Sequence, residues 1–443
     1  MRVTRRGALV GLCGAGLSMA VGPALDALSP RSSRVSAADA DNRAGVGEAV
    51  GQSAPAVRTI PLGQSPIDLV LDPAPSRDAP DGRIFVSIQG PTDPYSNPMG
   101  VGIVRALDAR DGRTVRDVRV GYAPGPLALD ERTGHLFVVN RSERTVSMLD
   151  ARGSAAPRAI IVPPGPRGIV VDSRAGRAIL VGGGVTGAGN VQIGSGSGSL
   201  LDTANGRVLS EIPVAGQPDT ALVDARRGYA FINAGALTIL DIARGRVARA
   251  IPLAVPLQAL TLDETTGRLF AITPRANTPV NSPTAYNLTM LDGQNGRALS
   301  SIAIEGNPTQ IAVDVNAGRV IVFGGGFIGG LEINVADTRA GRLPRTVMAP
   351  NVALGTALNA GLPAPPVVDA RRGHVYIALT DPSSYSKAYV GMCDTRSGAL
   401  LHTIPVRGSD IQAMTADERS GRLFVISVAQ GPNPQGYLTI IGP

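Results

Sequence analysis

Polar side chains recur at one place in this sequence, a few residues before an aspartate that is itself repeated. The set is Asp68, Arg167, Asp219, Thr220, Gln258, Gln310, Asp410 and Gln412. Carboxylates, a guanidinium group, amides and a hydroxyl are the groups that orient a ligand in a largely apolar pocket. We therefore predict a binding site with ligand contacts from Arg167, Asp219, Thr220, Gln258, Gln310 and Gln412. The alternative is a water-filled channel lined with ordinary polar groups.

The repeated aspartates mark copies of one sequence phrase. They fall at Asp72, Asp130, Asp172, Asp224, Asp263, Asp314, Asp369 and Asp417, about 49 residues apart. The clearest copy, residues 126–162, contains four strand-sized apolar segments at 127–129, 135–139, 145–149 and 159–162. This period and this content are typical of one blade of a β-propeller.

The fold prediction is an all-β propeller of eight four-stranded blades, with seven blades as the alternative. Residues 57–62, VRTIPL, match the outer strand LHTIPV at 401–406 but precede the first blade, while the last copy lacks its own outer strand. We expect the N-terminal strand to complete the last blade and close the ring, which leaves no free edge between the first and last blades. The repeated Asp and the Gly that follows are turn residues and need no catalytic explanation.

The sequence resembles the YVTN-repeat family, including the YncE-like exported propellers. The resemblance rests on LFVVN at 136–140 followed by TVSMLDARG, and on LSEIPVAGQP at 209–218. It covers nearly the whole mature chain and implies the propeller fold. Related propellers include lactonases, so it also implies that Asp68, Asp219 and Asp410 could hold a metal or act as a base, with Arg167 binding an anionic substrate.

Three functions follow from these features. The first is a non-catalytic binding or scaffold protein that recognises a small ligand or a protein through the face carrying the long loops. The second is the lactonase-like hydrolase, with or without a metal. The third is a quinone-dependent dehydrogenase, which the lack of Trp disfavours. No cofactor is predicted, although Ca²⁺ bound by channel carboxylates stays open.

The N-terminus has the pattern of an export signal. Arg2–Arg6 are followed by an apolar stretch at 8–21 and by Ala38-Asp39-Ala40, a small-residue cleavage pattern. Thr4-Arg5-Arg6 resembles a twin-arginine signal, and Sec export is the alternative. We expect residues 1–40 to be the signal, 41–56 a linker and 57–443 one propeller domain, placed outside the cytoplasmic membrane of a prokaryote with no membrane span after cleavage.

Composition removes several other classes. Aromatic residues make up 3% of the chain and Trp is absent, which argues against base-stacking or sugar-binding platforms. The net charge of +7 is dispersed over Arg residues in turns, so no nucleic-acid surface is expected. Two G-x-G-x-x-G matches, starting at Gly182 and Gly324, are expected to lie in loops and not in dinucleotide sites. We expect a monomer with Cys393 as an inert core thiol.

Overall fold

The computed structural model describes residues 10–11, 55–63, 65–90, 100–186, 192–214, 216–218, 220–252, 257–275, 278, 285–325, 330–338, 345–349, 353–354, 364–381, 386–430 and 434–443. These residues form eight antiparallel sheets arranged as the blades of a propeller, and no helix occurs among them. The prediction of eight blades is confirmed, and the alternative of seven is wrong. No helix in this described part is long and apolar enough to cross a membrane.

Each blade runs from an innermost to an outermost strand. Two strands precede the first blade, β1 (Val10–Gly11) and β2 (Val57–Gly63). Blades 1 to 4 contain β3 (Pro66–Asp72), β4 (Arg83–Ile88), β5 (Val101–Asp108) and β6 (Thr114–Tyr122); β7 (Pro124–Asp130), β8 (His135–Asn140), β9 (Thr145–Asp150) and β10 (Arg158–Ile161); β11 (Pro166–Asp172), β12 (Arg177–Thr186), β13 (Gln192–Asp202) and β14 (Val208–Val214); β15 (Thr220–Asp224), β16 (Tyr229–Asn233), β17 (Ala236–Asp241) and β18 (Arg246–Pro252).

Blades 5 to 8 repeat the pattern with one irregularity. They contain β19 (Ala259–Asp263), β20 (Arg268–Pro274), β21 (Tyr286–Asp292) and β22 (Ala298–Ile304); β23 (Asn307–Asp314), β24 (Arg319–Gly325), β25 (Leu331–Asp337) and β26 (Arg345–Ala349); β28 (Val367–Asp369), β29 (His374–Thr380), β30 (Ala388–Asp394) and β31 (Leu400–Val406); β32 (Asp410–Asp417), β33 (Arg422–Ala429) and β34 (Gln435–Ile441). In blade 7 both β28 and the short β27 (Ala353–Leu354) pair with β29. In blade 4, β1 pairs with Thr220 and Ala221 of β15.

The ring closes as the sequence predicts. β2 pairs antiparallel with β34, from Val57 opposite Ile441 to Pro61 opposite Tyr437, and so becomes the outer strand of blade 8. Leu62 is 2% exposed and packs in a cluster that also contains Leu71 of blade 1. The N-terminal strand therefore joins the last blade by backbone pairing and the first blade by side-chain packing.

Phenylalanine on the second strand of a blade packs against the following blade. Phe85 lies among residues of blades 1 and 2, and Phe137 among residues of blades 2 and 3. Phe424 of blade 8 lies with Leu71 and Ile84 of blade 1. Six of the seven phenylalanines lie on such second strands: Phe85, Phe137, Phe231, Phe270, Phe323 and Phe424. The phenylalanines are thus used at blade junctions, where full burial of one Phe side chain contributes ~1.5–3 kcal/mol to stability.

Cys393 and the first glycine of each glycine-rich stretch lie in strands. Cys393 lies in β30 and is fully buried, and burial raises the pKa of its thiol to about 12, so it is unreactive at neutral pH. Gly182 lies in β12 and Gly324 in β24, so each G-x-G-x-x-G match starts in a strand and not in a loop. Their remaining glycines, apart from Gly184, fall outside the described residues.

Candidate functional site

The face with the short turns between the first and second strands is held together by its own polar groups. All eight repeated aspartates are buried, with at most 6% exposure. Asp263 is representative, because its Oδ1 accepts the N–H of Thr265 at 2.8 Å and its Oδ2 accepts the hydroxyl of Thr266 at 2.8 Å. These carboxylates accept hydrogen bonds from their own turns and so stabilise the turn conformation.

Side chains on this turn face also bond from one blade to the next. Arg227 of blade 4 donates to the carbonyl of Glu264 in blade 5 at 2.8 Å, and Asn316 of blade 6 donates to Ala370 in blade 7 at 2.9 Å. Arg419 of blade 8 reaches Pro73 of blade 1 at 3.3 Å, so these links cross the closure as well. Several of the Arg residues that are dispersed along the sequence thus form hydrogen bonds between neighbouring blades.

The opposite face, which we call the loop face, carries the long connections. Residues 89–100 and 275–285 join second to third strands, and residues 350–366 join blade 6 to blade 7. Most of these residues lie outside the described ones. The turn face has one comparable insertion, at residues 73–82 in blade 1, and its other connections between strands are four to seven residues long.

A β-bulge marks the start of the innermost strand in several blades. Pairing with the second strand shifts between Pro66 and Asp68, between Pro166 and Gly168, between Pro308 and Gln310, and between Ile411 and Ala413. A bulge re-aims the side chains on both sides of it. Arg167 and Gln412 occupy the extra position of their bulges, and Asp68 and Gln310 come directly after theirs.

Asp68 lies at the junction of blades 1 and 2. Its Oδ2 accepts the N–H of Leu127 in blade 2 at 2.9 Å, and its Oδ1 accepts the N–H of Leu69 at 2.9 Å. Burial raises the pKa of Asp68 from 3.8 to about 6, although these two bonds and the positive charge of Arg141 favour the carboxylate. Asp68 therefore ties two blades together and titrates near neutral pH.

The raised pKa gives a pH-dependent prediction. The folded protein holds the Asp68 proton more tightly than the unfolded chain, so ionisation of Asp68 lowers stability as pH rises from about 4 to about 6. Asn cannot ionise, so the Asp68→Asn variant lacks this loss. We expect the melting temperature of the variant, relative to wild type, to rise between about pH 4 and pH 7. A difference that does not change with pH would show that Asp68 titrates at its ordinary value.

Gln310 makes the corresponding link between blades 6 and 7. It is 5% exposed, and its Nε2 donates to the carbonyl of Ala364 at 2.8 Å, while its Oε1 is buried and has no hydrogen-bond partner. Asp410 is 2% exposed, and its Oδ2 accepts a bond from Nε2 of Gln412 at 2.8 Å. The structure thus brings Asp410 and Gln412 together in blade 8.

The other predicted site residues differ in environment. Gln258 is exposed and its N–H donates to Ile272 at 2.9 Å, and Arg167 is partly buried. Asp219 lies outside the described residues. Thr220 begins β15 and its side chain is not described. Among the described residues no group of three or more His, Cys, Asp or Glu could hold a metal ion.

Several polar residues near the loop face were not among the sequence candidates. Exposed Arg141 lies over Gly125, where a Cβ would be 2.5 Å from its Nε. Glu143 accepts the N–H of Tyr122 at 2.9 Å and the hydroxyl of Thr145 at 2.9 Å. These contacts join the second-to-third-strand connection of blade 2 to the crossing from blade 1. Neither residue has a counterpart in the repeat that could have pointed to it.

Glu332 is a buried carboxyl group at the start of β25. It is 3% exposed, and burial raises its pKa despite a hydrogen bond from Nδ2 of Asn334 at 3.2 Å, while nearby Glu305 raises it further. Five residues before the last Asp of the third strand, other blades carry uncharged residues such as Thr145 and Ser197. That contrast is the signal by which sequence reasoning could have found Glu332.

Comparisons with known proteins identify the fold. No protein-family model and no curated protein sequence matches the chain, so the resemblance to the YVTN-repeat family stays a prediction. The structure is similar to BamB from Moraxella catarrhalis, with a TM-score of 0.52 and 14% identity over 87% of this chain and 100% of that chain. It is also similar to Kuenenia stuttgartiensis hydrazine synthase, with a TM-score of 0.49 and 14% identity over 72% of this chain and 95% of that chain. Together with the eight sheets, the likeness to BamB shows that the chain is a β-propeller.

Proposed function

We propose that this protein is a non-catalytic binding propeller that recognises a small ligand or a protein through its loop face. The observation that carries the proposal is the contrast between the two faces. On the turn face, all eight repeated carboxylates are buried and accept backbone hydrogen bonds from their own turns. These carboxylates are therefore not available to bind a partner on the turn face. Binding sites usually evolve in long connections on a rigid scaffold, and those lie on the loop face.

Side chains near the start of the innermost strands support the same face. Gln258 and Arg141 are exposed there, and Arg167 and Gln412 are partly buried. The β-bulges re-aim the residues beside them, as the bulges at Arg167 and Gln412 illustrate. A rigid ring of blades would hold such groups in fixed positions, which lowers the entropic cost of binding.

The export pattern at residues 1–40 extends the proposal to location. Arg5-Arg6 before an apolar segment supports export by the twin-arginine or the Sec route, which would place residues 57–443 outside the cytoplasmic membrane as one propeller domain. The YVTN and YncE-like resemblance supports the same location.

A thermal-shift experiment with paired variants tests the proposal. The purified protein is screened against Ca²⁺ and other divalent ions, lactones, sugar acids and quinones, and a ligand at ~100 times its Kd adds about 2.7 kcal/mol of stability. Arg141→Glu changes an exposed residue on the loop face, and Arg226→Glu makes the same change at an exposed residue on the turn face. We expect Arg141→Glu to weaken binding and Arg226→Glu to leave it unchanged. The opposite result would place the binding site on the turn face.

The lactonase-like alternative has one observation in its favour, the pKa of about 6 at Asp68. A carboxylate with that pKa suits general base catalysis near neutral pH. Against it, both oxygens of Asp68 already accept backbone N–H groups. Lactone hydrolysis by the wild type that is lost in an Asp68→Asn variant shown to be folded would favour the enzyme over the binding protein.

A further inference from the structure

The outermost strands of the propeller expose backbone edges that other strands could extend. Proteins protect such edges with charged residues or proline, because an unprotected edge pairs with strands of other chains. Seven of the eight outer strands carry this protection, with Arg58 and Pro61 in β2, Arg116, Asp117 and Arg119 in β6, Arg158 in β10, Glu211 and Pro213 in β14, Arg246, Arg249 and Pro252 in β18, Arg345 in β26, and Pro405 in β31.

The exception is β22, the outer strand of blade 5. Its sequence, ALSSIAI, contains no charged residue, no His and no Pro. It is the last strand of its sheet and pairs only with β21, so its other edge has no strand partner in the described part of the chain. Leu299 is 40% exposed, and Ser301 and Ala303 are exposed as well.

We propose that two copies of this chain pair antiparallel through β22, with Ser301 of one copy opposite Ser301 of the other. This register makes a symmetric, self-complementary interface of the kind that closes a dimer. It places Leu299 of each copy opposite Ala303 of its partner, so the exposed apolar side chains cover each other. Leu299 is the extra residue of a β-bulge against β21, so residues 300–304 form the regular part of the edge, and the pairs that involve Leu299 and Arg297 lie at and beyond the bulge.

Charges at the two ends of β22 select this partner. Arg297 comes directly before the strand and Glu305 directly after it, and both are exposed. Antiparallel pairing about Ser301 brings Arg297 of one copy beside Glu305 of the other, and it does so twice. A shift of the centre to Ile302 would instead set Leu299 against Glu305. Opposite charges at both ends therefore favour a second copy in this register and replace the expected monomer by a dimer.

Analytical ultracentrifugation over a range of protein concentrations tests the dimer. We expect the wild type to reach twice the mass of one chain. Ser301→Lys sets two ammonium groups opposite each other, which should raise the dissociation constant by more than about tenfold. Thr403→Lys is the matched control, since Thr403 is exposed in the middle of the outer strand β31. It should leave the dimer intact, and both variants should keep a single cooperative thermal transition, with a lower melting temperature for Ser301→Lys because folding is no longer coupled to association.

A charge exchange and a crosslink test the register. Arg297→Glu alone and Glu305→Arg alone should each weaken the dimer, and the double variant should restore it. Ser301→Cys should form an intermolecular disulfide on mild oxidation, because directly opposite Cα atoms lie about 4.5–5.5 Å apart. Ser300→Cys should not, since it faces Ile302 of the partner strand and its own counterpart lies two residues further along that strand. In a protein that lacks Cys13, the buried Cys393 adds no background.

Three results would overturn the proposal. One is a wild-type protein that stays monomeric at every concentration, which would leave β22 available to a strand from a different protein. Another is a dimer that persists unchanged in Ser301→Lys. The third is a dimer lost equally in Ser301→Lys and Thr403→Lys, since that outcome reports added surface charge and not this edge.

Discussion

Deletion of residues 57–62 is expected to abolish cooperative folding, the largest effect of any change considered for this protein. Without β2, the edge of β34 is left unpaired between Tyr437 and Ile441. The deletion also removes Leu62, which is 2% exposed, from the cluster that joins blade 8 to blade 1. A propeller open at one junction exposes apolar surface on both sides of the gap, and the loss propagates because each blade is stabilised by its neighbours.

Calorimetry of the deletion variant measures this effect, and Val57→Lys is its control. Val57 is 46% exposed at the outer edge of the same strand, so a Lys there should shift the free energy of unfolding by no more than about 0.5 kcal/mol. A deletion variant that melts cooperatively at the wild-type temperature would contradict closure by β2.

Phe424→Ala is expected to cost about 3–5 kcal/mol, the range for a fully buried Phe. Phe424 is 0% exposed and lies in the cluster with Leu71 and Ile84 of blade 1. Phe137, also 0% exposed, occupies the corresponding place between blades 2 and 3, so Phe137→Ala is a matched control. Urea denaturation gives both values.

The two Phe variants compare the closure with an ordinary junction. Equal losses would show that blades 8 and 1 pack as firmly as consecutive blades. If Phe424→Ala cost less than about 1 kcal/mol while Phe137→Ala cost the full amount, the packing at the closure would be loose and the account of the ring would be wrong.

The fold was predictable because its signals are local. An Asp that accepts turn amides and a Gly with positive φ, such as Gly134 at 74°, act within a few residues of each other, so each copy marks its own turn. The closure was predictable because β2 matches the sequence of an outer strand. The packing of Phe424 toward the next blade was not predicted, since it depends on how neighbouring sheets face each other.

The site was less predictable than the fold. The sequence places Asp68 and Gln310 at the same offset from the repeated Asp, and the structure gives both a link to the next blade. That role depends on the β-bulge before each residue. Three of the four bulges begin at a proline, Pro66, Pro166 and Pro308, a signal that the sequence analysis did not use. Arg141 and Glu143 were missed because their contacts are with the crossing from the preceding blade.

Hydrogen–deuterium exchange of the protein with the first compound that shifts its melting temperature tests binding through the loop face most directly. Binding there should slow exchange in peptides covering residues 89–100, 275–285 and 350–366. Peptides covering the turns at 131–134, 225–228 and 264–267 should exchange as they do without the compound. Protection confined to those turns would assign binding to the opposite face and rule out the loop face.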